Sequence, residues 1–465
     1  MSSVNRRAFL KGVGSVPLIG TALAAEPYQA KKVDALKGSA KSVVIPTHEF
    51  AGNLDERLDF PSDWEINVMN MKGYGTPVLT TQQIAAAIRK PIGTPQLRDL
   101  AAGKTKVVIT FDDLTRATPT FLIAPHILTE LKAAGVKDES ILFLGSFATH
   151  RPMTQEEVAK KLGKDIVTRY AWLNHSCFYG CKEIGTTSFK TNVQVNQTFL
   201  DADLKITLSG IKVHYDAGYG GGAKAVLPGL AHIDTVEHNH NVLLRQTKTA
   251  GPVRVFKNEM RLDLIEAARM AKVDFSVQTM YDQKLRPVHV FAGDIVDSHH
   301  AAVRVAAKSD CTPTFKDADI VVTNAYPQNA QAFHGQRWIN LSVKDGGTGV
   351  LIIQHPLALD PIHFLNNRSA SRSGMSYYQT TAARVLGGGP GGRGGGRGPV
   401  RNVGLVVYSQ YMTRTLKNNY PGTTFFATKW EEVIKHLKEK HPGASVRVAV
   451  YPYGGMQHQE IELDG

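Results

Sequence analysis

Cysteine is scarce in this chain: Cys177, Cys181 and Cys311 are the only three among 465 residues. Four residues apart, Cys177 and Cys181 could bridge in an oxidising compartment, but sulfurs one turn apart often meet in poor geometry. A zinc site would need further ligands at matching spacing, and no such set is evident, so small buried thiols are expected. Long apolar runs are also missing. None approaches the roughly 20 residues needed to cross a bilayer, which argues against a membrane span. There is no internal repeat. Basic residues outnumber acidic ones, 54 to 41, but the net charge of +13 is scattered. No basic stripe interleaves with aromatics as in a nucleic-acid binder, so no nucleic-acid partner is expected and the charge reads as a surface that attracts anions. With 42% hydrophobic and 20% charged residues the chain is globular, and its length suggests two domains.

The N-terminus holds a different signal. Asn5-Arg-Arg-Ala-Phe-Leu-Lys11 precedes a mildly apolar stretch and then Ala22-Leu-Ala24. This pattern is that of a twin-arginine export signal spanning residues 1–24, with Asn5 where Ser or Thr is usual. It implies a periplasmic or otherwise exported protein, handled by machinery that moves folded chains, often with a cofactor already inserted.

Beyond a polar segment reaching about Asp63, strand-like and helix-like stretches alternate. Lys106–Phe111 is a β-branched run ending in Asp-Asp, Phe121–Ala134 has helical periodicity, and Ser140–Gly145 is the next apolar run. Thr154-Gln-Glu-Glu157 is a capping box opening a helix to Leu162, and Asp203–Ser209 is another strand. This order predicts an α/β protein: two α/β domains with parallel-type sheets and an active-site cleft between them. The first is expected over 25–285 and the second over 286–465, with strands at Val288–Phe291, Asp317–Asn324, Gly349–Ile353 and Asn402–Tyr408 and a low-complexity glycine-rich loop at 387–399. Ligands of parallel sheets sit at the carboxyl ends of the strands. Asp113, His150 and His214 each follow a strand closely, which predicts that they converge on one edge.

The chemistry concentrates in three segments: Asp113-Leu-Thr-Arg116, His150-Arg-Pro-Met-Thr154, and His214 followed by Gly218-Tyr-Gly-Gly-Gly-Ala-Lys224. The glycine-rich turn is suited to an anion, with Gly221, Gly222 and Lys224 as candidate cofactor-binding residues, although Ala223 departs from a Walker A loop. Taken in order with Asn174-His175 and Tyr326-Pro-Gln-Asn-Ala-Gln331, these motifs resemble the nickel-pincer nucleotide-dependent lactate racemase family. The resemblance runs from about residue 60 to beyond residue 350.

It implies a racemase or epimerase of a small-molecule 2-hydroxy acid, which moves a hydride off the α-carbon and returns it to the other face. By the same resemblance His214 is the nickel ligand, and His150 and His175 are the catalytic acid/base pair. Arg116, Gln331 and His334 are implied to bind substrate, while Asp113 and Arg116 join the glycine turn around the cofactor. The family's best-known members anchor the cofactor through a lysine sixteen residues before the nickel ligand. Here Thr198 stands there, implying a non-covalent nickel-pincer nucleotide. A substrate-contacting lysine is replaced by His334 and a tyrosine by Ala330, which implies a substrate larger than lactate. The competing expectation is a non-catalytic cofactor- or solute-binding protein of the same fold.

Overall fold

The computed structural model describes residues 41–356, 363–365, 402–418, 420–443 and 445–465. The expected export signal and the glycine-rich loop at 387–399 lie outside the described residues.

Val107–Phe111 is buried at every position, because a parallel strand in the middle of a sheet is covered by helices on both faces. Helix Thr120–Ala133 supplies one cover, packing Ile123, Ile127 and Leu131 against Ile109 and Phe143. Along this first sheet the order is Pro287–Gly293, Phe275–Tyr281, Leu204–Gly210, Val107–Phe111, Ile141–Gly145 and Ala171–Asn174. All neighbours run parallel except the pair at the Pro287–Gly293 edge. That edge differs from expectation: Val288–Phe291 does not open a second unit but turns back on Phe275–Tyr281. The boundary expected near 285 falls in the turn of this hairpin.

The second six-stranded sheet is wholly parallel, in the order Phe425–Ala427, Gly404–Tyr408, Val343–Ile352, Ala318–Asn324, Arg447–Tyr451 and Glu65–Val68. Residues before Asp63, expected to be merely extended, form an antiparallel hairpin of Lys41–Thr47 and Leu54–Phe60. Val43, Ile45, Leu58 and Phe60 alternate onto one face and pack with Ile320, Val350 and Trp430. Glu56, on the same face as Leu58 and Phe60 and bonded there to Tyr408 and Gln354, masks that alternation in the sequence. Among the described residues no helix is long and apolar enough to cross a membrane.

Strand order decides where a ligand can sit. In the first sheet the chain steps from Val107–Phe111 outward to Ala171–Asn174, then returns to place Leu204–Gly210 on the other side of Val107–Phe111. In the second it steps from Ala318–Asn324 outward to Phe425–Ala427, then returns to place Arg447–Tyr451 on the other side of Ala318–Asn324. Loops diverge at such reversals and leave room at the carboxyl ends of the strands. The segments entering those places are 112–119 and 211–225 in the first sheet and 325–334 in the second.

Candidate active site

Asp113 and His150 leave adjacent parallel strands that end level, Phe111 opposite Gly145. His150 Nδ1 lies 2.6 Å from Asp113 Oδ2, and both side chains are buried. The other carboxylate oxygen accepts from the Thr115 amide at 2.8 Å and from the Thr115 hydroxyl. Burial alone would raise the Asp113 pKa, but His150, Arg116 and Thr115 outweigh it and hold the carboxyl well below its usual range. An ionised Asp113 fixes the proton of His150 on Nδ1 and leaves Nε2 with a lone pair, the arrangement of an oriented general base.

Arg116 reaches the second sheet. Its Nη1 donates to Gln331 Oε1 at 3.1 Å and to Thr115 Oγ1 at 2.8 Å. Gln331 Oε1 also receives His334 Nε2 at 3.3 Å. His334 stacks on Tyr215, ring centroids 5.0 Å apart, and the Arg337 guanidinium covers the Tyr215 ring. A second crossing lies alongside, where Lys212 Nζ donates to Gln328 Oε1 and Gln328 Nε2 donates to the Thr115 carbonyl at 3.2 Å. The structure brings Arg116, Gln331 and His334 into contact, and beside them stand Lys212, Tyr215 and Gln328, which no sequence motif singled out.

His214 follows strand Leu204–Gly210. Its Nδ1 accepts from the amides of Asp216 and Ala217 at 3.3 and 3.2 Å, leaving Nε2 as the ring atom open to a ligand, where coordination would displace the ring proton. Burial, then Lys224, Arg116, His240 and His334, lower its pKa well below the usual value, so the imidazole is neutral as a metal donor must be. Among the described residues no group of three or more His, Cys, Asp or Glu side chains could hold a metal. A metal at His214 would therefore bring most of its donors with it, which fits an ion held within an organic pincer.

The glycine turn differs from expectation. The amide of Gly222 donates to Gln278 at 3.0 Å and that of Gly220 to the Lys212 carbonyl at 2.7 Å, so these N–H groups are occupied within the fold. Gly222, at φ +58°, has His299 where a Cβ would lie, 2.8 Å away. Gly221 and Gly222 thus serve close packing, and the turn offers a ligand the side chain of Lys224. Arg261, fully buried, holds the turn from beneath through the carbonyls of Ala217, Tyr219 and Gly221. Burial pushes its guanidinium pKa down to about 9.

His175 stands apart from the other candidates. It follows Ala171–Asn174, two strands from the centre of the sheet. Both ring nitrogens are engaged there: Nε2 donates to the Ala231 carbonyl at 3.2 Å, and Nδ1 accepts from Asn196 Nδ2 at 3.2 Å. Expected to face His150 across a substrate, His175 is here a buried imidazole bonded within its own part of the fold. The ring packed on His150 is instead that of His363, centroids 4.9 Å apart, a residue no motif flagged. Thr198 is exposed on the short helix Gln197–Leu200, and all three cysteines are free.

Burial lowers the pKa of His175 from 6.5 to about 4. As pH falls, the unfolded chain takes up this proton first. Stability present above pH 6.5 is therefore lost between 6.5 and about 4, by on the order of 3 kcal/mol. Urea unfolding of wild type and His175→Gln across that range checks this: the variant should lose the part of the pH dependence that belongs to this group.

Comparison with known proteins agrees with this geometry. Residues 52–251 match the family model described as the lactate racemase N-terminal domain. The chain is 30% identical over 286 residues to the lactate racemase of Lactiplantibacillus plantarum, covering 60% of this chain and 67% of that one. It is 29% identical over 305 residues to the lactate racemase of Thermoanaerobacterium thermosaccharolyticum, covering 64% and 71%. In fold it is similar to the lactate racemase apoprotein of the latter organism, with TM-score 0.65 and 22% identity over 90% of this chain and 99% of that one. A protein from Thermotoga maritima is similar at TM-score 0.59 and 17% identity, covering 82% and 98%. The fold is that of a two-sheet α/β protein with its polar residues gathered where the strand orders reverse. The chain belongs to the lactate racemase family, and that membership supports a racemase function.

Proposed function

We propose that this protein racemises or epimerises a 2-hydroxy acid larger than lactate, using a nickel-pincer nucleotide held without a covalent bond. The observation that carries the reading is the Asp113–His150 pair standing beside the Arg116–Gln331 contact, since a carboxylate-oriented imidazole next to a guanidinium is equipped to move a proton on a bound acid. That is also what disfavours the alternative, a non-catalytic cofactor- or solute-binding protein of the same fold.

When bound, the nickel group supplies the acceptor for the hydride that leaves the α-carbon. The chain supplies the rest. His214 would hold the metal through Nε2, and Lys224 would supply a donor to the nucleotide's anionic part. Arg116 holds the substrate carboxylate, and His150 Nε2 takes the hydroxyl proton and gives it back. Thr198, exposed and without an amine, is consistent with a cofactor held by coordination and charge alone. Ala330 and His334 replace longer side chains and favour a substrate with more than a methyl group. The arginine pair near the N-terminus supports export of the folded protein to the periplasm.

Incubating single enantiomers of lactate and 2-hydroxybutyrate in D2O, followed by chiral chromatography and mass spectrometry, tests the reading. Loss of enantiomeric purity, faster for 2-hydroxybutyrate and without deuterium at the α-carbon, is expected. Deuterium at that carbon would rule out hydride return, and no racemisation of either acid would favour the binding protein.

A further inference from the structure

The hairpin Lys41–Thr47/Leu54–Phe60 packs on the second sheet, and its tip touches the segments that carry the site. Two tip residues that are not glycine, His48 and Phe50, hold left-handed backbone at φ +59° and +57°. Such angles are uncommon outside glycine and persist where surrounding contacts fix them. Glu49 stands between the two and is 4% exposed. Its carboxyl is committed to one residue of the loop entering the second sheet's reversal: Oε1 accepts from the Asn329 amide at 2.9 Å and Oε2 from Asn329 Nδ2 at 2.6 Å. The backbone around it is anchored as well. The Glu49 carbonyl meets His355 Nε2 at 2.9 Å, and the His48 amide donates to the Gln354 carbonyl at 3.0 Å.

Asn329 opens the short 3-10 turn Asn329–Gln331, and Gln331 closes it. In a single tight turn, fixing the first residue fixes where the last side chain leaves. Asn329 Oδ1 is buried without a hydrogen-bond partner among the described residues. An orphaned acceptor is unfavourable, so what this side chain contributes is its bond to Glu49. Phe50 reaches the other sheet: the Lys161 ammonium stands 4.9 Å from its ring centroid, and Lys161 donates to the Arg116 carbonyl. Two consecutive tip residues therefore connect to both partners of the Arg116–Gln331 contact, Glu49 through Asn329 and Phe50 through Lys161.

We propose that Glu49 is a positioning residue for substrate binding: by holding Asn329 it sets Gln331 where that side chain orients the Arg116 guanidinium. The inference rests on the reading in which Arg116 holds the carboxylate of a 2-hydroxy acid, and it adds the element that aims the arginine. Gln331 Oε1 accepts from Arg116 Nη1 at 3.1 Å. A displacement of the turn by about 1 Å breaks a bond of that length and lets the guanidinium turn away from the substrate. The Asp113–His150 pair is held separately, by Thr115 on the first sheet, so the grip on the acid changes while proton transfer does not.

Glu49→Gln keeps the shape of the side chain but sets an NH2 against a donor of Asn329. In racemisation of 2-hydroxybutyrate by the nickel-loaded full chain, KM should rise about tenfold while kcat stays within about twofold. Titration calorimetry with 2-hydroxybutyrate should show the same loss of affinity. Combining Glu49→Gln with Asn329→Asp re-forms both bonds with one donor and one acceptor exchanged, and should return KM close to the wild-type value. Glu49→Asp withdraws the carboxyl by one methylene; it should raise KM partway and serves if the glutamine hinders folding. Glu56→Gln is the control for hairpin stability, because Glu56 bonds Tyr408 and Gln354 in the same hairpin. It should lower resistance to denaturant without moving KM. Unchanged KM in both Glu49 variants, or an equal rise in Glu56→Gln, would overturn the inference while leaving the racemase reading intact. A wild-type chain that neither racemised nor bound 2-hydroxybutyrate would instead overturn the hydroxy-acid reading on which the inference rests.

Discussion

Replacing His150 with alanine should lower kcat by about 10²- to 10⁴-fold, the range typical of losing a positioned general acid/base. The reason is specific to its setting. Asp113 at 2.6 Å fixes the Nδ1 proton, so Nε2 is the atom that exchanges a proton with a substrate hydroxyl. Asp113→Asn keeps the shape but can present an N–H to Nδ1, favouring the wrong tautomer, and should produce a loss of the same order. Neither variant removes the Nε2 of His214, so nickel content per chain should stay at the wild-type level. The contrast with His175 is the informative part. Its ring nitrogens are bonded to Ala231 and Asn196, so His175→Gln should lose stability while retaining most of its turnover. Steady-state kinetics with metal analysis of the three variants decides it. If His150→Ala kept full activity while His175→Gln lost it, the roles of the two histidines would have to be exchanged.

Lys161→Met should destabilise the fold by about 3–5 kcal/mol, the range for removing one partner of a buried ion pair. Lys161 is wholly inaccessible; its Nζ lies 2.7 Å from Asp112 Oδ1 and donates to the Arg116 carbonyl. Asp112 also accepts from the Thr118 hydroxyl. Helix Gln155–Leu162 thereby braces the turn that carries Asp113 and Arg116. Removing the ammonium leaves Asp112 as an uncompensated buried charge beneath the site. Substituting both members, Lys161→Met with Asp112→Leu, should recover much of the stability, because neither charge is then stranded. Denaturant unfolding of the two single variants and the double variant gives the coupling; additive losses would show that the pair does not act as a unit.

Local periodicity predicts most strands that carry the site, because a buried parallel strand must be apolar throughout and its end is marked by polar residues. Asp113, His150 and His214 are readable for that reason. What the sequence conceals is lateral position. His175 follows a strand just as His150 does, yet its strand lies further from the reversal point, and only the crossover connections determine this. Lys212 is hidden differently: a single lysine in an apolar stretch carries no motif, and its partner Gln328 is more than a hundred residues away. His363 lies far along the chain from His150, and neither period nor spacing relates the two. The edge hairpin Phe275–Tyr281/Pro287–Gly293 escapes the sequence because an antiparallel return and the start of a new unit have similar composition.

Arg261 has one further consequence. By bonding the carbonyls of Ala217, Tyr219 and Gly221 from inside the protein, it orders the turn before any ligand is present. The entropy lost in fixing that backbone is incurred during folding, so association need not include it. The proposed nucleotide would meet a preorganised rim at Lys224 and His214, leaving correspondingly more affinity for its own contacts. If the cofactor is held without a covalent bond, as proposed, a site rigid in advance would slow its dissociation.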